Sequence, residues 1–532
     1  MNRRWTALAL SATITFAFLL RVWNLTSRSI WFDEAFSWTL CSEFGPLEII
    51  RRTGEDVHPP FYYLVLWGWI RVVGDSLWAM RLLSVLFGTL TVWMASLAGK
   101  EAFRISAPGP KDEDQAQAGE LVGQVFAMLV ASSAFQIHWS GEVRMYALLS
   151  LLFLLTVYFG LKALNDPHAS TKPLVGFTLC AALMLYTHNY GLFSFVGIGV
   201  SLFVLAWWRQ RREKEFRNSR IPGRIMIAGS IAGLLFVPWL PSLMYQRSQV
   251  AENYWISPFS LTQLAIAWDG VIFPENSYGQ WQKSRGEIAL VITALILIAL
   301  QVRARAVDVL SLMLTMIPAG LAIGISMTSS SIIAYRLFVL IHLSALLAVA
   351  QGLQKWLDPI AALALGVVLT ADGLWIHSDL LSQLDLANRP GPRGAMEWLD
   401  SVRSSEESVY VLHPCVYFSM RYHAADRARI TLCTPAENIV HYTGRPILRE
   451  NERHDLSALT EDLNSGRRVW VVDCTGYSAG YRRPFLPEAL RFKSDKKFVS
   501  PYSFEGTVSV TEYSLSNQPF LQSEGPKEAP RD

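Results

Sequence analysis

Two adjacent carboxylates, Asp33 and Glu34, stand in the stretch SRSIWFDEAFSW (residues 27–38), among the rings of Trp31, Phe32, Phe36 and Trp38. Aromatic side chains of this kind favour a membrane–water interface, where one edge is apolar and the other wet. A carboxylate held at that depth can serve as a base on a substrate that arrives through the lipid. The same pair could instead charge the start of an interfacial helix. Other polar residues collect in short runs: His58 in DVHPPFYY; Glu142, Arg144 and Tyr146 in SGEVRMYALL; Tyr186 and His188 in YTHNYG; Arg336 in SIIAYRLF. Each also has a structural reading. Arg144 and Arg336 could snorkel to headgroups, Glu142 could serve Arg144 alone, and His188 could be an interfacial histidine. His58 could do no more than precede a proline-set helix start. Together they make a set of acids and bases suited to an anionic, lipid-linked substrate.

The elements that must position them are membrane helices. Of the 532 residues 51% are hydrophobic and 17% charged, whereas soluble globular chains carry about a quarter charged residues. The nineteen tryptophans fit interfacial belts. A net charge of +3 gives no nucleic-acid footprint. The five cysteines form no CxxC pair and no metal-ligand spacing, which speaks against zinc or thioredoxin-like chemistry. A single disulfide among Cys415, Cys433 and Cys474 is left open.

The run Trp5–Trp23 follows Arg3 and Arg4. It resembles the start of a signal peptide, but its length and the lack of a small-residue cleavage site predict a first membrane helix. Residues 24–73 then form an outer loop with a short helix near Pro46–Arg52. The apolar run after His58 is too short to span and reads as an interfacial helix ended by Gly74. Ten further spans are predicted at 79–99, 120–138, 145–164, 173–188, 190–208, 225–241, 287–302, 308–326, 333–351 and 359–377, about eleven in all. The WWRQRREKEFRNSRIPGR connection holds seven basic residues and is assigned to the cytoplasm. The connection 241–286, with only Arg247, Lys283 and Arg285, is assigned outside. Arg51, Arg52 and Arg71 run against the rule in the first loop. With the N-terminus inside, all the polar residues above fall at one outer level. His342 is the main ionisable group near a helix centre, which speaks against an ion or proton carrier.

After Ile376 the composition changes. SVYVLH, ARITLC, RRVWVVDC and GTVSVTEYSL read as strands, and PGPRGAMEWLDSVRSSEE and DLSALTEDLNSG as helices. The expected organisation is an α-helical polytopic membrane domain over 1–377, with 24–73 as its outer catalytic loop. A small extracytoplasmic α/β domain follows over 378–516, and a disordered tail over 517–532.

The motifs WFDEAFSW, DVHPPFYYLVLW, SGEVRMYALLSLLF, YTHNYGLF and YRLFVLIHLSAL resemble, in order, those of GT-C glycosyltransferases. The chain is most similar to bacterial members of the protein O-mannosyltransferase and lipid A aminoarabinose transferase group, over roughly residues 5–350. The resemblance implies an enzyme of the plasma membrane that uses a polyprenyl-phosphate-linked sugar donor and works with inversion on the non-cytoplasmic face. It implies Asp33 as general base or acceptor-positioning carboxylate and Glu142–Arg144 as the outer-turn acidic/basic motif. Because adjacent helical residues point about 100° apart, Glu34 is the second catalytic carboxylate, left to orient the acceptor or bind a cation. His58 stands where aminoarabinose transferases place a phosphate-binding lysine. Chemistry asks for cations against the leaving phosphate, which His58, Arg144 and Arg336 could supply, with Tyr146 and His188 alongside. A divalent cation is permitted but not demanded. No β-trefoil module is present, so the acceptor is left open among envelope glycan, lipid and protein. The competing expectations are a lipid-linked glycan flippase, which needs polar residues threading the membrane interior, and a scaffold that displays the C-terminal domain.

Overall fold

The structure is a computed structural model. It describes residues 3–106, 113–166, 168, 170–252, 256–272, 283–383, 388–477, 481–484, 486, 490–502 and 504–515. The tail expected over 517–532 lies outside the described residues. The chain forms two compact units. One comprises residues 1–389 with the short segments 440–447 and 501–504; the other comprises 390–439, 448–500 and the chain from 505 onwards.

The first unit is helical. It begins with α1 (Arg3–Val22), α2 (Phe32–Glu43), α3 (Pro46–Glu55), α4 (Phe61–Val73), α5 (Leu77–Phe103), α6 (Glu113–Ser132), α7 (Ala134–Ser140), α8 (Tyr146–Leu164) and α9 (Thr171–Leu185). It continues through α10 (Gly191–Arg212), α11 (Ile221–Phe236), α12 (Leu240–Glu252), α13 (Leu261–Ile272), α14 (Lys283–Gln301), α15 (Ala306–Thr328), α16 (Val339–Trp356) and α17 (Pro359–Gln383). Among the described residues eight helices are long and apolar enough to cross a membrane, or nine if α6 and α7, bent by 63° at their break, count as one span. The expected span 173–188 is only the 15-residue α9, about 22 Å at 1.5 Å per residue, because the chain turns at Tyr186–His188. The expected span 120–138 is the broken pair. Large apolar side chains such as Leu8, Ile227, Leu234, Ile298 and Val368 lie exposed on the helix surfaces, as a lipid solvent requires and water does not.

The α6–α7 break has a physical cause. The Ser133 hydroxyl accepts from the Gln136 N–H, starting a new helix, which leaves carbonyls at the end of α6 without intrahelical partners. The buried guanidinium of Arg21 takes them. It donates to Val130 O and Ala131 O at 3.1 and 3.0 Å and to the Ser140 hydroxyl at 3.2 Å. Gly88 makes room for this junction, since a Cβ there would lie 2.1 Å from the Ser140 hydroxyl.

The short helices α2, α3 and α4 form the loop between α1 and α5. Pro46 starts α3. Gly74, at φ 98°, ends α4 and donates to Ile70 O, a left-handed position that suits glycine.

The second unit holds α18 (Gly391–Val402), α19 (Pro414–His423), α20 (Leu456–Asn464) and the strands β1 (Val409–Val411), β2 (Ile430–Cys433), β3 (Arg453–His454), β4 (Val469–Cys474), β5 (Leu490–Val499) and β6 (Thr507–Leu515). One sheet runs β3-β2-β1-β4-β6-β5. β3, β2, β1 and β4 pair in parallel, and β6 pairs antiparallel with both β4 and β5. Tyr410, Leu412, Cys433, Leu459, Leu463, Val469 and Val471 pack as its core. The cysteines are free thiols, so the disulfide left open from the sequence is not formed.

Candidate active site

Asp33 and Glu34 fall in the first turn of α2, where successive side chains diverge by about 100°. The structure separates them accordingly. Asp33 faces Arg144 and Arg336: its Oδ2 lies 3.5 Å from Arg144 Nη2 and 3.4 Å from Arg336 Nη1. These are ion pairs rather than tight hydrogen bonds. The Asp33 side chain keeps 18% exposure, so a substrate can reach it. Arg144 Nη1 also donates to Asp33 O at 3.3 Å and to the Tyr63 hydroxyl at 3.2 Å. Arg336 Nη1 reaches the Tyr146 hydroxyl at 3.5 Å. Three separate pieces of chain thus converge: the start of α2, the 141–145 turn before α8, and the short 3-10 turn Tyr335–Phe338 before α16.

Glu34 is wholly buried and turned away from this group. Arg81 of α5 meets it with two parallel bonds, Nε to Oε1 at 2.8 Å and Nη2 to Oε2 at 2.6 Å. Arg81 also donates to the carbonyls of Leu25, Arg28 and Ser29. Glu34 Oε1 accepts from the Val143 N–H at 2.9 Å. The pair therefore ties the chain before α2, the start of α2 and the 141–145 turn to α5, and so sets where Asp33 and Arg144 stand. Glu142 is also buried and lies 3.5 Å from His138, in the same turn as Arg144 but paired elsewhere.

His58 and His188 lie beside the arginines, their rings tilted at 45° with centroids 4.7 Å apart. The 186–190 turn fixes His188: its Nδ1 accepts from the Tyr190 N–H at 3.0 Å, so in the neutral ring the proton sits on Nε2. No hydrogen-bond partner meets His188 Nε2 or His58 Nδ1 among the described residues. The His58 turn is held by Asn189, which donates to Val57 O, and by Gln246, which donates to Thr53 O. Burial, then Arg144 and Arg336, lower the His188 pKa to about 3. Burial, then His188, Arg144 and Arg336, hold His58 well below the ordinary imidazole range. In the substrate-free protein, burial first, then a second imidazole and two arginines beside it, keep the proton off His58.

Asp56, two residues before His58, is a member of this neighbourhood that the sequence reading did not single out. It is buried, and its carboxyl is pushed up to about 7, by burial first; Val57 N–H and Arg144 oppose the shift and Asp33 adds to it. A carboxyl whose folded pKa lies above its ordinary ~3.9 binds a proton in the folded state that the unfolded chain has lost, so its contribution to stability falls as pH rises from about 4 to about 7. Asp56→Asn, neutral at every pH, should therefore gain thermal stability over the parent at pH 8 and not at pH 4.5. Melting curves of the two proteins that run parallel across that range would show that Asp56 does not titrate this way. The only cue to Asp56 in the sequence is its place in EDVHPP. Trp139, 4.1 Å from the Tyr146 ring and stacked 5.6 Å from Tyr335, is a second omission. Among the described residues no three His, Cys, Asp or Glu side chains converge as a metal site.

No protein-family model and no curated protein sequence matches the chain. Solved structures do. The crystal structure of ArnT from Cupriavidus metallidurans in the apo state aligns with a TM-score of 0.53 at 12% identity, over 95% of this chain and 97% of that one. The structure of the same protein bound to undecaprenyl phosphate gives a TM-score of 0.47 at 16% identity, over 96% and 98% of the two chains. The S. cerevisiae protein O-mannosyltransferase Pmt1–Pmt2 complex bound to the sugar donor gives 0.36 at 19% identity, over 46% of this chain and 35% of that one. In fold, the chain is similar to ArnT across nearly its whole length.

Proposed function

We propose that this protein is an inverting glycosyltransferase that moves a sugar from a polyprenyl-phosphate-linked donor to an envelope acceptor on the non-cytoplasmic face of the membrane. The observation that carries the reading is the meeting of one reachable carboxylate, Asp33, with two arginines, Arg144 and Arg336, within 3.5 Å. A GT-C fold similar to that of ArnT supports it. Asp33 takes the proton of the acceptor hydroxyl as its oxygen attacks the anomeric carbon. The bond from that carbon to the donor phosphate breaks with its electron pair, and polyprenyl phosphate leaves as an anion. Arg144 and Arg336 neutralise the charge that develops on the phosphate. His58 and His188 add ring N–H donors beside the arginines. Incubating the purified protein in vesicles with labelled polyprenyl-phosphate sugars and a panel of envelope glycans, lipids and peptides tests the reading. Transfer of label to an acceptor supports it; movement of label between leaflets without transfer would mean a flippase.

The charge state of His58 gives a sharper check. A neutral ring contributes one hydrogen bond, worth about 0.5–1.5 kcal/mol. His58→Ala should therefore weaken donor binding several-fold, by the same factor at pH 6 and pH 8. A factor that shrinks as pH rises through 6–8 would mean that the arriving phosphate protonates the ring.

Orientation has its own test. A tag after residue 520 should be protease-accessible on sealed cells and one placed between Arg211 and Arg220 only on inverted vesicles; finding both on one side would remove the outer-face assignment.

A further inference from the structure

Asp33 owes its position to the first turn of α2, and that turn has no side-chain cap: Trp31, at its N-terminal end, makes no capping hydrogen bond. Packing holds it instead. The buried Trp31 ring lies 5.8 Å from Tyr502 and 5.1 Å from Phe504, and those two rings stack on each other at 5.3 Å. Both come from the far end of the chain, in the short segment 501–504 that belongs to the membrane unit. The Arg28 guanidinium also lies over the Tyr502 ring, 6.0 Å from its centre. Arg28 reaches the 141–145 turn, since a Cβ at Gly141 would stand 3.4 Å from its Nη2. Only 3% of Tyr502 is exposed. Its hydroxyl lies within the electrostatic reach of Arg28, Glu34, Arg81 and Glu142, and burial holds its pKa well above the ordinary range, so it remains a neutral O–H.

We propose that Tyr502 is a positioning residue for Asp33: its ring clamps Trp31 at the start of α2 and, through Arg28, the turn that carries Arg144. The 3.5 Å contact between Asp33 and Arg144 joins the two walls that Tyr502 touches. A carboxylate that must take a proton in the transition state loses rate when its geometry loosens by about an ångström. The aromatic pair therefore gives the C-terminal part of the chain a role in the reaction without contact with substrate. This role rests on the transferase reading above.

The test uses the full chain in vesicles with Tyr502→Ala, Tyr502→Leu and Tyr502→Phe, followed by hydrogen–deuterium exchange and by transfer kinetics. In Tyr502→Ala, amides of residues 28–38 should exchange at least about tenfold faster, while those of β4 in the other unit stay protected. In the same protein kcat should fall at least tenfold and the donor KM should change by less than about threefold. Tyr502→Phe should restore both readouts, because ring packing does the work, and Tyr502→Leu, which keeps the site filled if the alanine variant fails to fold, should fall between. Unchanged exchange over 28–38 overturns the proposal. So does faster exchange with parental kcat, and so does equal loss across all regions with normal turnover in the surviving folded protein. If the parent itself transfers no sugar, the transferase reading fails, and the exchange comparison still decides whether Tyr502 holds the start of α2.

Discussion

Asp33→Asn should cut sugar transfer by about 10²- to 10⁴-fold, the range that a positioned general base contributes, while the protein folds and inserts as before. The amide keeps the shape of the carboxylate and loses its affinity for a proton. Arg144 keeps its bonds to Asp33 O and to the Tyr63 hydroxyl, so it stays tethered. The substitution also has a second, opposite effect that separates a base from a phosphate ligand. With the negative charge 3.4–3.5 Å from Arg144 and Arg336 removed, an incoming phosphate no longer competes with that carboxylate for them. Polyprenyl phosphate should bind the variant at least as tightly as the parent. Binding by titration and turnover by label transfer on the same preparation give both numbers. Near-parental turnover would reject Asp33 as the base. Lost donor binding with lost turnover would make Asp33 part of the phosphate site.

The convergence of Asp33, Arg144, Tyr146 and Arg336 was legible because it depends on span parity. Hydropathy places the ends of the helices, and residues at like-facing ends meet even when 303 positions separate them, as Asp33 and Arg336 do. The divergence of Asp33 from Glu34 was legible from helical pitch alone. Neither rule says where Glu34 goes. Arg81 reads in sequence as a basic residue near the start of an apolar run, where a snorkelling role is the default; only packing turns it inward. The charge of His58 was beyond the sequence for a related reason. Burial sets it first, then groups from three other turns, and an imidazole buried among cations behaves opposite to one facing a phosphate alone.

Elsewhere the misses have separate physical causes. β1, β2, β4 and β6 carry apolar, β-branched runs and were readable, but β5 (LRFKSDKKFV) is an edge strand, and charged residues that protect an edge erase the strand signal. The break between α6 and α7 hides in a run that hydropathy reads as continuous. Its cue was the serine pair Ser132–Ser133, since a hydroxyl is the usual start of a helix. Tyr502 and Phe504 had no cue, because two aromatics in a short connection show no periodicity.

Arg81→Met should remove most of the folded protein, the largest structural effect in the membrane unit. Glu34 and Arg81 have fully buried side chains, and deleting one partner of a buried ion pair costs about 3–5 kcal/mol because the other charge stays behind. That is a large part of the roughly 5–15 kcal/mol by which folded proteins exceed their unfolded states. Methionine leaves Glu34 with the Val143 N–H as its remaining partner in this group, and it strips donors from the carbonyls of Leu25, Arg28 and Ser29. Glu34→Gln is gentler: the carboxamide oxygen can still accept from Val143 and Arg81, and the three carbonyls still solvate the guanidinium. The double variant Glu34→Leu/Arg81→Met removes both charges and should lie between the two. The monodisperse fraction that survives heating in detergent should rank parent, Glu34→Gln, double variant, Arg81→Met. Folded Glu34→Gln protein should keep turnover within about tenfold of the parent, in contrast to Asp33→Asn, because Glu34 positions the 141–145 turn and touches no reacting atom. If folded Glu34→Gln instead loses turnover as fully as Asp33→Asn, the proton acceptor is Glu34, and the two adjacent carboxylates exchange roles.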